Sequence, residues 1–230
     1  MKKLIFVSLF VLILQSGAFA QAQEFDLGIS FAKVGDYQVA LQHFQKSFDK
    51  NLSPQKIAQI HYNLGVCFYQ LKQTNSAITA FQQAVQINPN YERAFYALGM
   101  AFSDLKNLSE AEIAFRSSLK LSNNGETWFD LAFIYIEQKK YNQAFESFQK
   151  AINFGSIAIA ASHNNLGVIY AMRGNLKMAN KEIETAKNLG FSEAENNLEI
   201  LHQFMISKDK TRTYAVERFL IQIKNEFAKS

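Results

Sequence analysis

Four histidines and one cysteine are the side chains of this chain with the chemistry for acid–base, nucleophilic or metal-binding work: His43, His61, His163, His202 and Cys67. A catalytic thiol needs a base within hydrogen-bond reach. Cys67 and His61 are six positions apart, about 240° around a helix, so the two side chains diverge. With its partner facing away, Cys67 reads as a small buried hydrophobe rather than a reactive thiol. His43 and His202 stand alone on helical stretches. The chain shows no Gly-rich phosphate loop, no His-Glu-x-x-His helix, no paired carboxylates in shared register and no Gly-x-Ser-x-Gly elbow. These residues therefore predict no catalytic centre, no cofactor site and no metal site, and an enzyme built on them would need an additional domain.

The elements that carry these residues follow from self-similarity. Four segments share a signature, Asn63-Leu64-Gly65, Ala97-Leu98-Gly99, Asp130-Leu131-Ala132 and Asn165-Leu166-Gly167, with Leu27-Gly28 upstream. Their last residues are 34, 33 and 35 positions apart, and Gly28 lies a further 37 upstream, the mark of a repeat array. Three residues beyond each comes an aromatic: Phe31, Phe68, Phe102, Tyr135 and Tyr170. Nine further on comes Ala40, Ala77, Ala111, Ala144 or Ala179, then four later Phe44, Phe81, Phe115, Phe148 or Ile183. Ser47, Ala84, Ser118, Ala151 and Ala186 complete the pattern. Spacings of three, four and seven place these residues on one stripe of a helix, so each unit is two amphipathic helices joined by a turn. Val34-Gly35-Asp36-Tyr37 and Arg173-Gly174-Asn175-Leu176 supply visible turns. Glycine on the first helix and alanine on the second predict a close approach of the two axes, with the aromatics filling the wedge between hairpins.

This pattern resembles the tetratricopeptide repeat family, whose unit of about 34 residues repeats leucine-glycine, tyrosine, alanine, phenylalanine and a final proline. The second unit carries Leu64, Gly65, Phe68, Ala77, Phe81, Ala84 and Asn88-Pro89, and the fourth supplies a tryptophan, Trp128. Ala132 departs from the glycine and Ile183 from the phenylalanine. The resemblance implies an all-α, right-handed α-solenoid of about five helix-turn-helix units, at 21–54, 58–91, 92–124, 125–157 and 160–190. His61 and His163 fall at the positions of Phe95 and Trp128, which makes them packing residues. A capping helix is expected from Ser192, with the stripe Ala194, Leu198, Leu201 and Met205. A final amphipathic helix follows, with Val216, Phe219, Leu220, Ile223 and Phe227; residues 191–230 form this C-terminal part.

In such arrays the first helix of each unit lines a concave groove. That geometry implies Tyr62, Val66 and Tyr69 from the second unit, and Arg93, Tyr96 and Met100 from the third. Phe129, Phe133 and Ile136 come from the fourth, Asn164 and Val168 from the fifth. The groove is apolar and aromatic. Members that clamp a C-terminal carboxylate use lysine, arginine and asparagine there. Here Asn63 and Arg93 fit while Phe25, Ile29, Tyr62 and Val66 do not, so the clamp is incomplete. The expected partner is an apolar or amphipathic segment of another protein. The alternative is self-assembly, as a homodimer or larger structural component of an envelope or secretion complex, with the last helix as the joining element.

Composition and the amino terminus agree with a binding role outside the cytoplasm. Lys2 and Lys3 precede an apolar run from Leu4 to Leu14, and Ala18-Phe19-Ala20 ends it; this reads as a secretory signal peptide over residues 1–20. The run is far shorter than the roughly 20 residues that span a bilayer. No cysteine stands at the cleavage site for lipid attachment. The mature chain is expected to be soluble, periplasmic or secreted, with no transmembrane segment. Removing Lys2 and Lys3 lowers the formal net charge from +4 to +2. Both signs of charge are interspersed along the helices, the opposite of a nucleic-acid-binding patch. One cysteine allows no internal disulfide, so packing alone supplies stability, for which 48% hydrophobic residues and 21 phenylalanines are ample.

Overall fold

The structure is a computed structural model and describes residues 21–49 and 51–206, apart from the side chains of Phe204 and Ile206. Residues 1–20, where a signal peptide is expected, and the expected final helix with its stripe from Val216 to Phe227 lie outside the described residues. Every regular element described is a helix. Residues 21–33 form α1, followed by α2 (Tyr37–Lys46), α3 (Pro54–Gln70), α4 (Thr74–Ile87), α5 (Glu92–Asp104) and α6 (Leu108–Leu121). Then come α7 (Gly125–Glu137), α8 (Tyr141–Asn153), α9 (Ile159–Met172), α10 (Leu176–Asn188) and α11 (Ala194–Ile206). The helices pair in order as antiparallel hairpins, the α-solenoid architecture. The chain divides into two compact units between Ser122 and Asn123.

The close approach expected of the glycines is present in both units. A Cβ on Gly65 would lie 2.5 Å from the Phe81 ring, one on Gly99 2.6 Å from the Phe115 ring, and one on Gly167 would collide with Ile183 Cγ1. The large residue of each second helix thus fills the space that a side chain on the first would need. Ala40, Ala77, Ala111, Ala144 and Ala179 are all fully buried, as are Phe44 and Phe148. Where serine replaces the last small residue, its hydroxyl is satisfied: Ser47 Oγ donates to the Phe44 carbonyl and Ser118 Oγ to Glu92 Oε1, each at 2.7 Å. Such partners remove the cost of burying a hydroxyl.

Each hairpin turn has the same backbone. One residue takes a left-handed conformation: Gly35, Lys72, Lys106, Lys139 or Gly174. Its N–H and the next bond back to the end of the first helix, as in Lys106 N to Ser103 O at 2.9 Å and Asn107 N to Phe102 O at 2.9 Å. Asp36 and Asn175 then cap the second helix by accepting from Val39 N and Met178 N. Asn75 lies within the first turn of α4.

The capping helix differs from expectation in its details. α11 begins at Ala194, two residues beyond Ser192. Ala194, Leu198 and Leu201 are buried against Val168, Ala171, Ala179, Ile183 and Ala186, while Met205 is exposed. Glu195, Glu199 and His202 are also exposed. Ala194, Leu198 and Leu201 have the spacing of Ala94, Leu98 and Ala101 in α5, so α11 packs as the first helix of a further hairpin. That register puts Glu199 where the glycine would be and His202 at the aromatic position.

Candidate partner-binding groove

The helical spacing of three and four brings Tyr62, Val66 and Tyr69 onto one stripe of α3, and Arg93, Tyr96 and Met100 onto one stripe of α5. In this first unit Arg93 is exposed and the other five are half-buried. Their inner edges rest on the core: Tyr62, Val66 and Tyr69 pack against a cluster of Ala77, Ile78, Phe81, Leu98, Ala101 and Ala114. The Tyr62 ring lies 5.9 Å from Phe81 and 5.0 Å from Tyr91, and the Tyr96 ring 5.8 Å from Phe115. Burial raises the Tyr62 phenol above its ordinary value; nearby Arg93 partly offsets this and Glu92 adds to it. The Tyr91 phenol is pushed up to about 12, mainly by burial and also by Tyr62. These phenols stay neutral at physiological pH, so the surface is apolar with hydroxyl donors and a guanidinium beside it.

The second unit closes the corresponding positions. Phe129 and Ile136 are buried, so neither lines an open groove as expected. Phe129 makes edge contacts with Phe133 at 5.0 Å and Phe148 at 5.8 Å, which places it in the core of its own hairpin. Phe133 remains half-buried and packs against the cluster around Val168. Asn164 and Val168 are 2% and 1% exposed. The cause is α11: Asn197 Nδ2 donates to Asn164 Oδ1 at 2.7 Å, and Ala194, Leu198 and Leu201 share the core cluster of Val168. Both residues are therefore corrected from groove to core.

The groups with potential chemistry are built into the packing. Cys67 is fully buried, and burial pushes its thiol up to about 11, which suppresses the reactive thiolate. His61 meets Phe48 edge-on at 5.8 Å, and burial lowers its pKa. His163 does more than pack: its Nδ1 lies 2.7 Å from Glu182 Oε2, bridging α9 and α10. His43 and Glu24 make the same 2.7 Å contact between α2 and α1, again 19 residues apart. The two pairs use the same register positions with residue types exchanged, a signal legible in that shared spacing. His202 Nε2 lies 2.8 Å from Asn180 Oδ1. Among the described residues, no group of three or more His, Cys, Asp or Glu is placed to hold a metal ion, and no helix is long and apolar enough to cross a membrane.

Helix hairpins in which a small residue of the first helix lies against a large residue of the second, repeated within each unit, define an all-α repeat scaffold. Residues 58–91 match the tetratricopeptide repeat family, as do residues 92–124 and 125–154. The chain is a tetratricopeptide-repeat protein, and as such a scaffold for protein–protein interaction. Solved structures share the fold. MamA 41-end from Desulfovibrio magneticus RS-1 superposes with a TM-score of 0.66 at 18% identity, covering 76% of this chain and 97% of that one. A further MamA structure gives 0.63 at 20% identity, over 74% and 95%. YrrB, described as a TPR protein with an unusual peptide-binding site, gives 0.65 at 18% identity, over 76% and 90%. No curated protein matches the chain.

Proposed function

We propose that this protein is an exported, non-catalytic adaptor that holds an apolar or amphipathic segment of another protein against α3 and α5. The observation that carries this reading is the retention of Tyr62, Val66, Tyr96 and Met100 at partial exposure on adjacent first helices. The equivalent positions Asn164 and Val168 are sealed by α11. Aromatic and thioether side chains on a half-open surface supply contact area at low entropic cost and favour protein partners. A peptide-binding site in a protein of the same fold, YrrB, supports the class of ligand. Arg93 at the margin suits a segment that carries a carboxylate near its apolar residues.

Export rests on the amino-terminal sequence. The chain recovered outside the cytoplasm is expected to begin at Gln21, and amino-terminal sequencing of an intracellular form alone would remove this part of the reading. The binding claim is tested by replacing Tyr96 and Met100 with alanine, in the same chain, in capture experiments from envelope extract. Loss of the captured protein with unchanged helicity supports the reading, and undiminished capture places the binding surface elsewhere. If the recovered species is a second copy of this chain, self-assembly is the correct account.

A further inference from the structure

In the first unit, α6 lies in the notch between its own first helix and the second helix before it. Ala114 of α6 shares a core cluster with Ala77, Ile78 and Phe81 of α4 and with Leu98 and Ala101 of α5, and Val85 packs against that cluster. At the end of the second unit the corresponding notch, between α10 and α11, is an open cavity of about 750 Å³. Glu184 and Lys187 of α10 line it, with Glu195, Leu198, Glu199 and His202 of α11. By register these are the positions of Gln82, Val85, Phe95, Leu98, Gly99 and Phe102. Among the described residues no second helix fills this notch, and the chain continues past Ile206 to Ser230.

Two spacings link α11 to that continuation. One is the step of 16 residues between the small residue of a first helix and the large residue of the second: Gly28 to Phe44, Gly65 to Phe81, Gly99 to Phe115, Ala132 to Phe148 and Gly167 to Ile183. The same step from Glu199 reaches Ala215. Large again meets small, with the two exchanged between the helices, which keeps the volume at the crossing within what close packing tolerates. The other is the step of 19 residues that joins Glu24 to His43 and His163 to Glu182, each at 2.7 Å. From Glu195 it reaches Tyr214, which supplies a hydroxyl donor for the carboxylate.

Charge selects the same face. Around a helix over residues 208–221, Lys208, Arg212 and Arg218 fall within about 60° of Ala215, while Asp209 and Glu217 fall about 120° and 160° away. The cavity holds three carboxylates, Glu184, Glu195 and Glu199, against one ammonium group: Lys187 meets Glu195 at 2.9 Å. His202 is engaged with Asn180 at 2.8 Å. Cations on the incoming face therefore complement the notch. Turning the apolar stripe of Val216, Leu220 and Ile223 inward instead would bury Glu195 and Glu199 against hydrocarbon, a costly arrangement.

We propose that residues 208–221 of the same chain form the second helix of a sixth hairpin and occupy the α10–α11 notch, with Ala215 against Glu199 and Tyr214 against Glu195. This seating turns Val216 and Leu220 outward, at the exposed positions of Arg116 and Lys120. The notch lies within the second unit and uses no residue of the Tyr96 and Met100 face, so the two readings fail independently.

The first test uses the full chain carrying Cys67→Ala and a short bifunctional thiol crosslinker. Glu199→Cys/Ala215→Cys is compared with Glu199→Cys/Glu217→Cys, whose second cysteine faces away from the notch. The first pair is expected to close within one chain at least about fivefold faster than the second. A second measurement, tryptic cleavage after Arg212 and Arg218, needs no cysteine. Ala215→Phe sets a ring against Glu199 and is expected to speed that cleavage about tenfold, and Glu199→Gly/Ala215→Phe rebuilds the glycine–phenylalanine contact and is expected to slow it again. The proposal is overturned if the two cysteine pairs close at equal rates, or if Ala215→Phe leaves cleavage unchanged. Failure of the added glycine to restore protection overturns the pairing of 199 with 215. Crosslinks that join two chains overturn it as well, by assigning the notch to the same segment of a second copy.

Discussion

Gly99 and Phe115 meet across the α5–α6 hairpin so closely that a Cβ at position 99 would lie 2.6 Å from two atoms of the phenylalanine ring. Phe115 is fully buried and flanked by Tyr96, so the ring has no free space to enter. Gly99→Leu is therefore expected to destabilise by about 3 kcal/mol or more, an overpacking defect. Asn75→Ala, at an exposed site in α4, is expected to change the melting temperature little. Equal melting temperatures for the two variants would contradict the close contact.

The same geometry governs the turns. Lys72→Gly is expected to melt at or above the unaltered protein, because glycine suits φ of 61°. Lys72→Val places a β-branched residue in that conformation and is expected to lower stability by about 1–2 kcal/mol. Thermal denaturation followed by circular dichroism distinguishes them, and a glycine variant less stable than the valine variant would contradict the assigned turn.

Asn197 and Asn164 tie the capping helix to α9 through a buried 2.7 Å hydrogen bond. Asn197→Ala leaves Asn164 Oδ1 without that donor, at an expected cost of about 1–3 kcal/mol. Replacing both with alanine is expected to cost less than the two single changes added together. Additive losses in the double-mutant cycle would show that the bond contributes nothing.

Alkaline pH tests the buried acids. The Cys67 thiol is raised from 9.0 to about 11 and the Tyr91 phenol from 10.0 to about 12. Between these values the folded chain retains protons that the unfolded chain releases, so stability is fully present below about pH 9 and falls as pH rises towards 12. Urea denaturation midpoints at pH 8, 10 and 11.5 are expected to decrease in that order. Cys67→Ala is expected to remove the part of the decline that begins near pH 9, and an unchanged midpoint across the series would contradict the burial of both groups.

The repeat was legible because it uses residue size as its code. Leu-Gly, alanine and phenylalanine recur at fixed spacing, and each glycine lies against the large residue of its own hairpin, as Gly65 does against Phe81. The groove was legible only in part, because exposure on a first helix depends on what packs next to it. Tyr96 and Met100 stay half-open, whereas Asn164 and Val168 have the same register and are buried by α11. Helix α9 is apolar around most of its surface, so its own sequence does not mark the covered side. The left-handed lysines were hidden for a related reason: glycine announces such a turn at 35 and 174, and lysine at 72, 106 and 139 does not.

The central claim is that this scaffold binds protein through the α3–α5 face. It is tested most directly by placing the photo-crosslinking residue p-benzoylphenylalanine at Tyr96, at Met100 and, as a control, at exposed Ile113 on α6. Illumination in the native extract is expected to give one discrete adduct from positions 96 and 100 and none of that mass from position 113. An adduct formed from Ile113 alone, or none from either groove position in a folded chain, would contradict the account.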